Sequence, residues 1–462
     1  MTRRFCLCLL FIIVLNPGGV LAQSSYIESV EEITAGNVAG IGARQMAMGG
    51  TGIMAIDGTS LFYNPANLAR IPRIEFMFGL SNQKYKSKSS VLTNQLLVDT
   101  LTGLAEVNNG YRFEGFTPLS GVAEDDKSNT RVNNLILTIP YPTYRGSLVI
   151  GLGVARLADF DRVFNFAHRD RSLDGDIYSS GREFQSGSLM QWSGGFGVDL
   201  SPRISVGASI SLYTGTNDYD FTYQLDSVDY LYFKSEQFIT DKYLGIGGKV
   251  GMAMQVNHYL AFGVTIESPT VIDIDEDYTL RSTTVIDGFY LPEDGYNGSI
   301  NYNLKKPFTF AMGMQLERNN AVLEADIGYT DWAQMSYSDN PDMEQENKNI
   351  KDFYRDVLRY NLGVEYVIPS WSLSLRGGLF RDPLPFRDQF VNDNRNGYSL
   401  GFGVLIDQVL TVDVAYVHGS YGRNSNFWYG TASLEGRGYD HYMIMGEDIS
   451  YDRIYLTIAS RF

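Results

Sequence analysis

The sequence predicts an all-β protein: a transmembrane antiparallel β-barrel of 14 strands, with a lumen plugged by a small N-terminal hatch. Three observations lead to this prediction. The chain begins with an export signal, its strand-like segments are unusually long, and the connections between them alternate between short and long. No segment after the export signal approaches the roughly 18 consecutive apolar residues expected of a membrane-spanning helix.

The N-terminus has the order of a secretory signal. Arg3 and Arg4 precede an apolar run at residues 5–15, and a breaker then leads to Ala22. This order predicts a signal peptide over residues 1–22, cleaved after Ala22. The apolar run is too short to cross about 30 Å of hydrocarbon as a helix. Both cysteines of the chain lie in this leader, so the mature chain is expected to contain no thiol and no disulfide.

Composition argues against several functional classes. The formal net charge is −16, which disfavours nucleic-acid binding because phosphate contacts need clustered lysine and arginine. The acidic run that starts at Asp273 has Tyr278 and Thr284 where a calcium-binding EF-hand loop requires Gly and Glu. The four histidines belong to no recognisable Ser-His-carboxylate set. We therefore predict no enzyme, no metal site and no cofactor.

Two segments show the strand pattern most clearly. Along residues 359–368 and 371–380, apolar side chains alternate with polar or small ones, so each segment has one apolar face. Strands of soluble proteins are usually about 5–6 residues long. These segments reach the length of about 9–11 residues that a tilted strand needs to cross a bilayer.

Fourteen such segments can be counted. Connections after even-numbered segments are tight, and those after odd-numbered segments are long. An even count with short periplasmic turns and long extracellular loops is typical of outer-membrane barrels. The final segment ends in Phe462, which resembles the C-terminal signal read by the bacterial barrel-assembly machinery. The predicted strands are residues 74–85, 131–141, 146–158, 187–200, 203–216, 241–256, 258–268, 306–317, 320–333, 356–368, 371–382, 397–406, 409–420 and 451–462.

Residues 23–72 form the predicted hatch, and residues 73–462 form the barrel. A 14-stranded barrel encloses a wide interior, and a compact segment of low charge suits it. Gly49, Gly50 and Gly52 permit tight packing and positive φ angles. Asn64 suits the N-cap, and Pro65 the first position, of a short helical turn.

Several segments resemble the FadL/TodX (OMPP1) family of outer-membrane transporters of hydrophobic compounds. The resemblance touches the hatch and much of the later barrel, whereas the central loops at residues 216–242 and 269–306 carry none. The matching segments are Gly-Ala-Arg-Gln-Met-Ala-Met-Gly-Gly-Thr-Gly (42–52), Asp57, Phe-Tyr-Asn-Pro-Ala (62–66), Glu-Ala-Asp-Ile-Gly-Tyr-Thr-Asp-Trp (324–332), Arg-Tyr-Asn-Leu-Gly-Val-Glu-Tyr (359–366) and Leu-Arg-Gly-Gly-Leu-Phe-Arg-Asp-Pro (375–383).

The resemblance implies passive uptake of hydrophobic molecules such as long-chain fatty acids or aromatic hydrocarbons. Ligand would bind near the extracellular loops, pass to a pocket above the hatch and leave sideways at a kink in the third strand. The hatch residues implied in gating are Asn64, Pro65 and Ala66, together with Gly49, Gly50 and Gly52. Gly151 and Gly153 are the candidates for the kink, since glycines inside strands mark bends; close packing against the hatch is the alternative.

Charged residues on the inward parity of the strands offer candidate ligand groups. Arg359 and Arg376 are candidates for binding a carboxylate, because a guanidinium pairs with it bidentately. Alternatively, both arginines pair with wall carboxylates as struts. The residues expected to point inward are Glu324, Asp326, Arg359, Glu365, Arg376, Asp413, Arg453 and Arg461.

Two other functions compete with uptake of a hydrophobic ligand. A FadL-like barrel can serve protein secretion as a cargo shuttle or anchor, and a simple porin-like channel is a lesser alternative that a hatch disfavours. The expected partners are a hydrophobic small molecule, outer-membrane lipid, lipopolysaccharide and the assembly machinery. The chain is expected to be a monomer in the outer membrane.

Overall fold

The structure is a computed structural model that describes residues 21–24, 37–98, 117–118, 123–144, 146–172, 175–227, 231–286, 288–290, 294–340, 343–387, 394–432 and 438–462. The signal peptide, apart from its last two residues, and residues 25–36 of the predicted hatch lie outside these ranges. Within them, no helix has both the length and the apolar character needed to traverse a membrane.

Fourteen long strands form the wall. Three of them, β3, β7 and β8, are interrupted and consist of two segments each. The strands are β1 (Glu75–Val98), β2 (Ala123–Tyr141), β3 (Leu148–Asp159 and Arg162–Ser172), β4 (Gly175–Ser201), β5 (Ile204–Ser227), β6 (Leu231–Gln255), β7 (Leu260–Glu267 and Thr270–Ile286), β8 (Asp294–Lys306 and Thr309–Arg318), β9 (Ala321–Asp331), β10 (Asp356–Ile368), β11 (Leu373–Pro383), β12 (Asn394–Ile406), β13 (Leu410–Ala432) and β14 (Gly438–Arg461).

The sheet closes on itself. Each strand pairs antiparallel with the next along the chain, and β14 pairs with β1, where Arg461 lies opposite Glu75. All fourteen predicted segments correspond to these strands, so the predicted barrel and its strand number are confirmed. Closure removes the unpaired edges that hydrocarbon could not satisfy.

Side chains alternate between lipid and lumen as predicted. On β10, Tyr360, Leu362 and Val364 are 43–49% exposed on the outer face, whereas Glu365 is buried inside. The outer face therefore meets the hydrocarbon, and the lumen receives the polar set.

Several strands extend beyond the predicted bounds on the extracellular side. β5 continues to Ser227 and β6 begins at Leu231, where the sequence analysis placed only loops. In these extensions the apolar side chains point inward, and Phe221 and Tyr223 are almost fully buried. The prediction missed the extensions because above the membrane the apolar face turns from the outside to the lumen.

The described part of the hatch lies inside the barrel and contains three short helices: α1 (Ala43–Ala47), α2 (Ser60–Tyr63) and a 3₁₀ helix (Pro65–Arg70). Asn64 caps the 3₁₀ helix by accepting a hydrogen bond from the Ala66 amide, and Pro65 occupies its first position, as predicted. Gly49 and Gly50 have φ angles of 72° and 79°, as expected, whereas Gly52 does not have a positive φ and instead packs closely against the Tyr63 ring.

Wall glycines let the hatch approach the strands closely. A side chain at Gly378 would place its Cβ 2.0 Å from the Gly49 nitrogen, and one at Gly207 would place it 2.4 Å from the Pro65 carbonyl carbon. The hatch backbone thus touches the wall backbone directly, which no larger residue would allow.

The extracellular half of the lumen is filled by a predominantly apolar cluster. A third α-helix, α3 (Glu344–Phe353), lies outside the hatch and packs on this cluster through Ile350. The aromatic members of the cluster are Phe160, Tyr213, Tyr243, Tyr302, Tyr337, Tyr354 and Phe386.

The remaining short elements are the strands Leu21–Ser24, Asn37–Val38, Thr117–Pro118, Phe289–Tyr290 and Ser336–Ser338 and the 3₁₀ helices Trp332–Gln334 and Pro369–Trp371.

Two adjacent glycines test this seating of the hatch. Gly378→Val should displace the hatch, because its side chain would overlap Gly49, while the barrel still closes. Gly377→Val is the matched control, since the nearest atom to its Cβ is a Leu400 methyl group at 3.6 Å. Trypsin cleavage at Arg44 and Arg70 is the measurement, with heat-modifiable migration as the check on barrel closure. Equal protection of both variants would contradict close seating.

Candidate functional site

A cavity of about 190 Å³ lies directly above the hatch. Its floor comes from the hatch and its wall from β8 to β14. The lining residues are Gly40, Met46, Gly49, Gly50, Ile53, Tyr63, Ala311, Asp326, Ile327, Gly328, Arg359, Asn361, Phe380, Asp382, Arg395, Val417, Tyr451 and Arg453.

Arg359 differs from the other arginines that line this cavity in its surroundings. It is half-buried, and within the described ranges it has no hydrogen bond and no carboxylate at ion-pair distance. Arg395, by contrast, pairs with Asp382 at 3.1 Å, and Arg453 donates to Gln83 at 2.6 Å. The guanidinium of Arg359 is therefore the one placed to receive an acidic group.

A second cation lies near Arg359. Lys306 sits over the Trp332 ring, 5.7 Å from its centre, and repels Arg359 electrostatically. The carboxylate that attracts both cations is Glu267, and it is already paired with Lys249 at 3.2 Å. This side of the lumen therefore carries an excess of positive charge.

Arg376 has a different position. Its guanidinium contacts Glu365 at 2.5 Å and Asp413 at 2.6 Å, and it does not line the cavity. Of the two predicted roles for Arg376, these contacts match the strut. It is occupied in bracing β10, β11 and β13.

Glu365 also binds the hatch. Arg44 of α1 donates two hydrogen bonds to it, each 3.2 Å long, and lies 3.8 Å from Asp57. Burial lowers the pKa of Arg44, but the carboxylates of Glu365 and Glu324 outweigh burial and hold this pKa above its ordinary value. Arg44 stays charged, so the hatch is tied to the wall by a buried ionic network.

Further wall carboxylates bind the hatch backbone. Asp326 accepts hydrogen bonds from the amides of Gly52 at 2.7 Å and Ile53 at 3.0 Å. Glu75 accepts from the Gly58 amide at 2.6 Å. The sequence predicts that Asp326 points into the barrel but does not predict this contact, because inward parity does not say which groups meet.

Asn64 joins the hatch turn to the wall. Its side-chain amide donates to the carbonyl groups of Ile53 and Met252, at 3.0 and 3.3 Å, while its oxygen caps the 3₁₀ helix. Asn64 and Ala66 are fully buried. The predicted gating residues are therefore central to how the hatch is held.

The third strand is regular at both predicted kink glycines. Gly151 pairs with Thr138 and Gly195, and a Cβ there would lie 3.4 Å from Leu61 of the hatch. At Gly153 a Cβ would lie 3.1 Å from the Leu135 carbonyl oxygen. Gly151 therefore fits the alternative of close packing against the hatch, whereas Gly153 packs against β2. The strand is distorted further along, because its register shifts between Arg156 and Ala158 and the strand is then interrupted.

Beyond this irregularity the wall has a break. The second segment of β3, Arg162–Ser172, pairs with β4, and its ladder does not continue to β2. The free edge of β3 at Ala158 and Asp159 is instead covered by the short strand Asn37–Val38 from the hatch region. A break in one wall of an otherwise closed barrel is a second candidate site.

These features define a class: an outer-membrane β-barrel plugged by its own N-terminal segment. The sequence profile described as outer membrane protein transport protein (OMPP1/FadL/TodX) matches residues 191–429, just over half of the chain. The chain belongs to this family. Among curated proteins, no sequence matches it significantly.

Solved structures share the fold at low identity. A Pseudomonas aeruginosa FadL homologue matches with a TM-score of 0.59 and 14% identity, over 92% of this chain and 98% of that one. The P. putida toluene transporter TodX matches with 0.57 and 14%, over 92% and 99%. The Ralstonia pickettii toluene transporter TbuX matches with 0.52 and 15%, over the same shares. These likenesses establish the fold alone.

The ionic network yields a stability prediction. Glu365→Gln removes the partner of Arg44 and Arg376 and should lower the free energy of unfolding by about 3–5 kcal/mol, since it leaves buried charge uncompensated. Urea unfolding in lipid vesicles is the measurement. Asp407→Asn, in an exposed turn, is the control and should change it by less than about 0.5 kcal/mol. A Glu365→Gln loss as small as the control's would show that the network contributes little.

Proposed function

We propose that this protein takes up hydrophobic molecules passively across the outer membrane, and that acidic amphiphiles such as long-chain fatty acids are its preferred ligands. The observation that carries the proposal is the cavity above the hatch. Its apolar lining suits a hydrocarbon chain, and Arg359 presents a guanidinium without a carboxylate partner in the described part of the chain. A carboxylate head group would supply that partner.

The proposed route begins at the extracellular end. The apolar cluster, whose buried members include Tyr302 and Tyr337, would give an entering ligand apolar surroundings. The hatch, held by Asn64 and the ionic network, forms the floor, with Pro65, Ala66 and the hatch glycines shaping it. We propose that ligand then leaves sideways at the wall break, into the membrane.

Aromatic hydrocarbons remain the second candidate ligands. The solved TodX and TbuX are described as toluene transporters, and they share this fold. A neutral hydrocarbon would leave Arg359 without a carboxylate partner among the described residues, whereas an acidic ligand would supply one. The charge of the lumen therefore favours the acid.

The other two functions fit less well. A porin needs an aqueous channel, but the hatch and the apolar cluster both occupy the lumen. No contact in the described residues favours a role in secretion. We further propose that the barrel works as a monomer surrounded by lipid and lipopolysaccharide.

Arg359→Gln tests the ligand class. It should weaken binding of a spin-labelled fatty acid to the barrel in detergent-free lipid particles by roughly tenfold, as expected for loss of one charge-assisted hydrogen bond. Toluene binding should not change. Arg318→Gln, at an exposed turn, is the matched control. If the wild-type barrel binds neither ligand, uptake itself is the wrong function; if fatty-acid binding survives in Arg359→Gln, the anchor is wrong.

The hatch turn gives a separate test. Asn64→Ala with Pro65→Ala removes the cap and its bonds to the wall, which should destabilise the turn by about 1–2 kcal/mol while the barrel stays closed. Uptake of a labelled fatty acid into proteoliposomes should fall. Pro369→Ala with Ser370→Ala, in an exposed turn, is the control. Undiminished uptake would mean that the hatch is only a stopper.

A further inference from the structure

Among the residues that the structure describes, the extracellular half of β2 has a ladder on one side only. Its residues up to Val132 pair with β1, and its pairing with β3 begins at Asn134. On the outer face of this half, Asp126, Ser128 and Thr130 are exposed, whereas Leu135 and Ile139 further down are lipid-facing and apolar. The edge without a described partner therefore starts near the point where the outer face of β2 turns from apolar to polar.

Side chains, rather than a backbone ladder, close this edge. Asp161, in the interruption of β3, is 5% exposed and receives three donors from β2: Lys127 at 3.1 Å, Asn129 at 2.5 Å and Arg131 at 2.8 Å. We call these four residues the Asp161 latch. Because every contact of the latch involves a side chain, it can open without breaking a strand pair.

Further contacts surround the latch. Lys127 and Arg131 also donate to the backbone carbonyl groups of Gln185 and Gly187 on β4, both at 2.9 Å. Below the latch, Arg156 donates to the Val132 carbonyl at 3.1 Å and pairs with Asp159 at 3.2 Å. The three cations here outnumber the two carboxylates, so the closed edge is lined by donors for an acidic head group.

The second segment of β3 is held independently of the latch. Arg162 pairs with Glu183 at 2.5 Å and with Glu447 at 2.9 Å, and Glu447 is fully buried. Ser89 of β1 donates to the Asn165 carbonyl at 2.5 Å. This segment therefore lies behind β2, inside the barrel, and provides a fixed frame against which the edge of β2 can open.

We infer that the Asp161 latch is the gate of the lateral exit, and that separation of Asp161 from Lys127, Asn129 and Arg131 releases ligand from the barrel. This inference rests on the proposed uptake function. The released donors, Lys127 and Arg131, can then pair with the head group of an acidic amphiphile while its apolar chain enters the membrane. The latch thereby favours amphiphiles over neutral hydrocarbons at the exit as well.

A reversible cross-link tests the gate. Asn129→Cys with Asp161→Cys gives a pair of thiols in a mature chain that is expected to have no others. A short bifunctional methanethiosulfonate should join them and stop fatty-acid uptake into proteoliposomes, and reductant should restore it. Lys84→Cys with Asp126→Cys is the matched control, since this exposed ion pair of 2.7 Å joins β1 and β2 where their ladder is complete.

Asp161→Asn provides an independent test that keeps the side-chain shape. It removes the charge that holds Lys127 and Arg131, so the rate of uptake should rise above that of the wild type. Uptake that is unaffected by the 129–161 cross-link, or an unchanged rate in Asp161→Asn, would overturn the gate. Absence of uptake by the unmodified wild type would instead overturn the proposed function, so the two failures are distinguishable.

Discussion

The structure depends on one constraint: in lipid hydrocarbon, a backbone polar group finds no partner except another backbone group of the same sheet. The constraint requires closure, and the pairing of β14 with β1 supplies it. It also requires that apolar side chains face outward over the membrane-spanning length, as Tyr360 and Leu362 do. The lumen is not bound by this constraint, because polar groups inside the barrel can hydrogen-bond to other groups of the protein.

The lumen follows the rule for buried charge. A charge removed from water must be paired, and the hatch meets this requirement through Arg44, Glu365, Arg376 and Asp413. Hatch and wall are therefore joined by groups that neither could bury alone. Against this background Arg359 is the exception, a cation that borders the cavity without a carboxylate at ion-pair distance among the described residues. The lack of a carboxylate partner for Arg359 among the described residues, rather than its charge alone, is what points to a ligand.

The same constraint on unpaired backbone groups limits where the wall can break. An unpaired strand edge is costly in hydrocarbon but tolerable where water and head groups begin. Within the described ranges, the edge of β2 has no ladder to β3 above Asn134, and Asp126 and Ser128 replace apolar residues on the outer face further up. In this part of the wall, side-chain contacts such as the ion pair of Asp161 with Arg131 take the place of a backbone ladder. The wall break thus lies near the change from apolar to polar residues on the outer face of β2.

The sequence by itself determined the elements that repeat along the chain. Alternation in residues 359–368 and the parity of the connections were enough for the barrel and its fourteen strands, because side-chain direction in a strand is set locally. The capping of the hatch turn by Asn64, with Pro65 at its first position, could likewise be predicted because it depends only on neighbouring residues. The strand extensions at β5 and β6 were missed, since above the membrane the apolar face points inward.

Only the tertiary structure decided which inward groups meet. Arg359 and Arg376 have the same inward parity, yet one borders the cavity and the other is held between Glu365 and Asp413. The glycines at 151 and 153 suggested a bend, whereas the strand departs from its register at Arg156 and then passes inside. Both outcomes depend on contacts between segments far apart in the chain, and a one-dimensional pattern carries the direction of a side chain but not its partner.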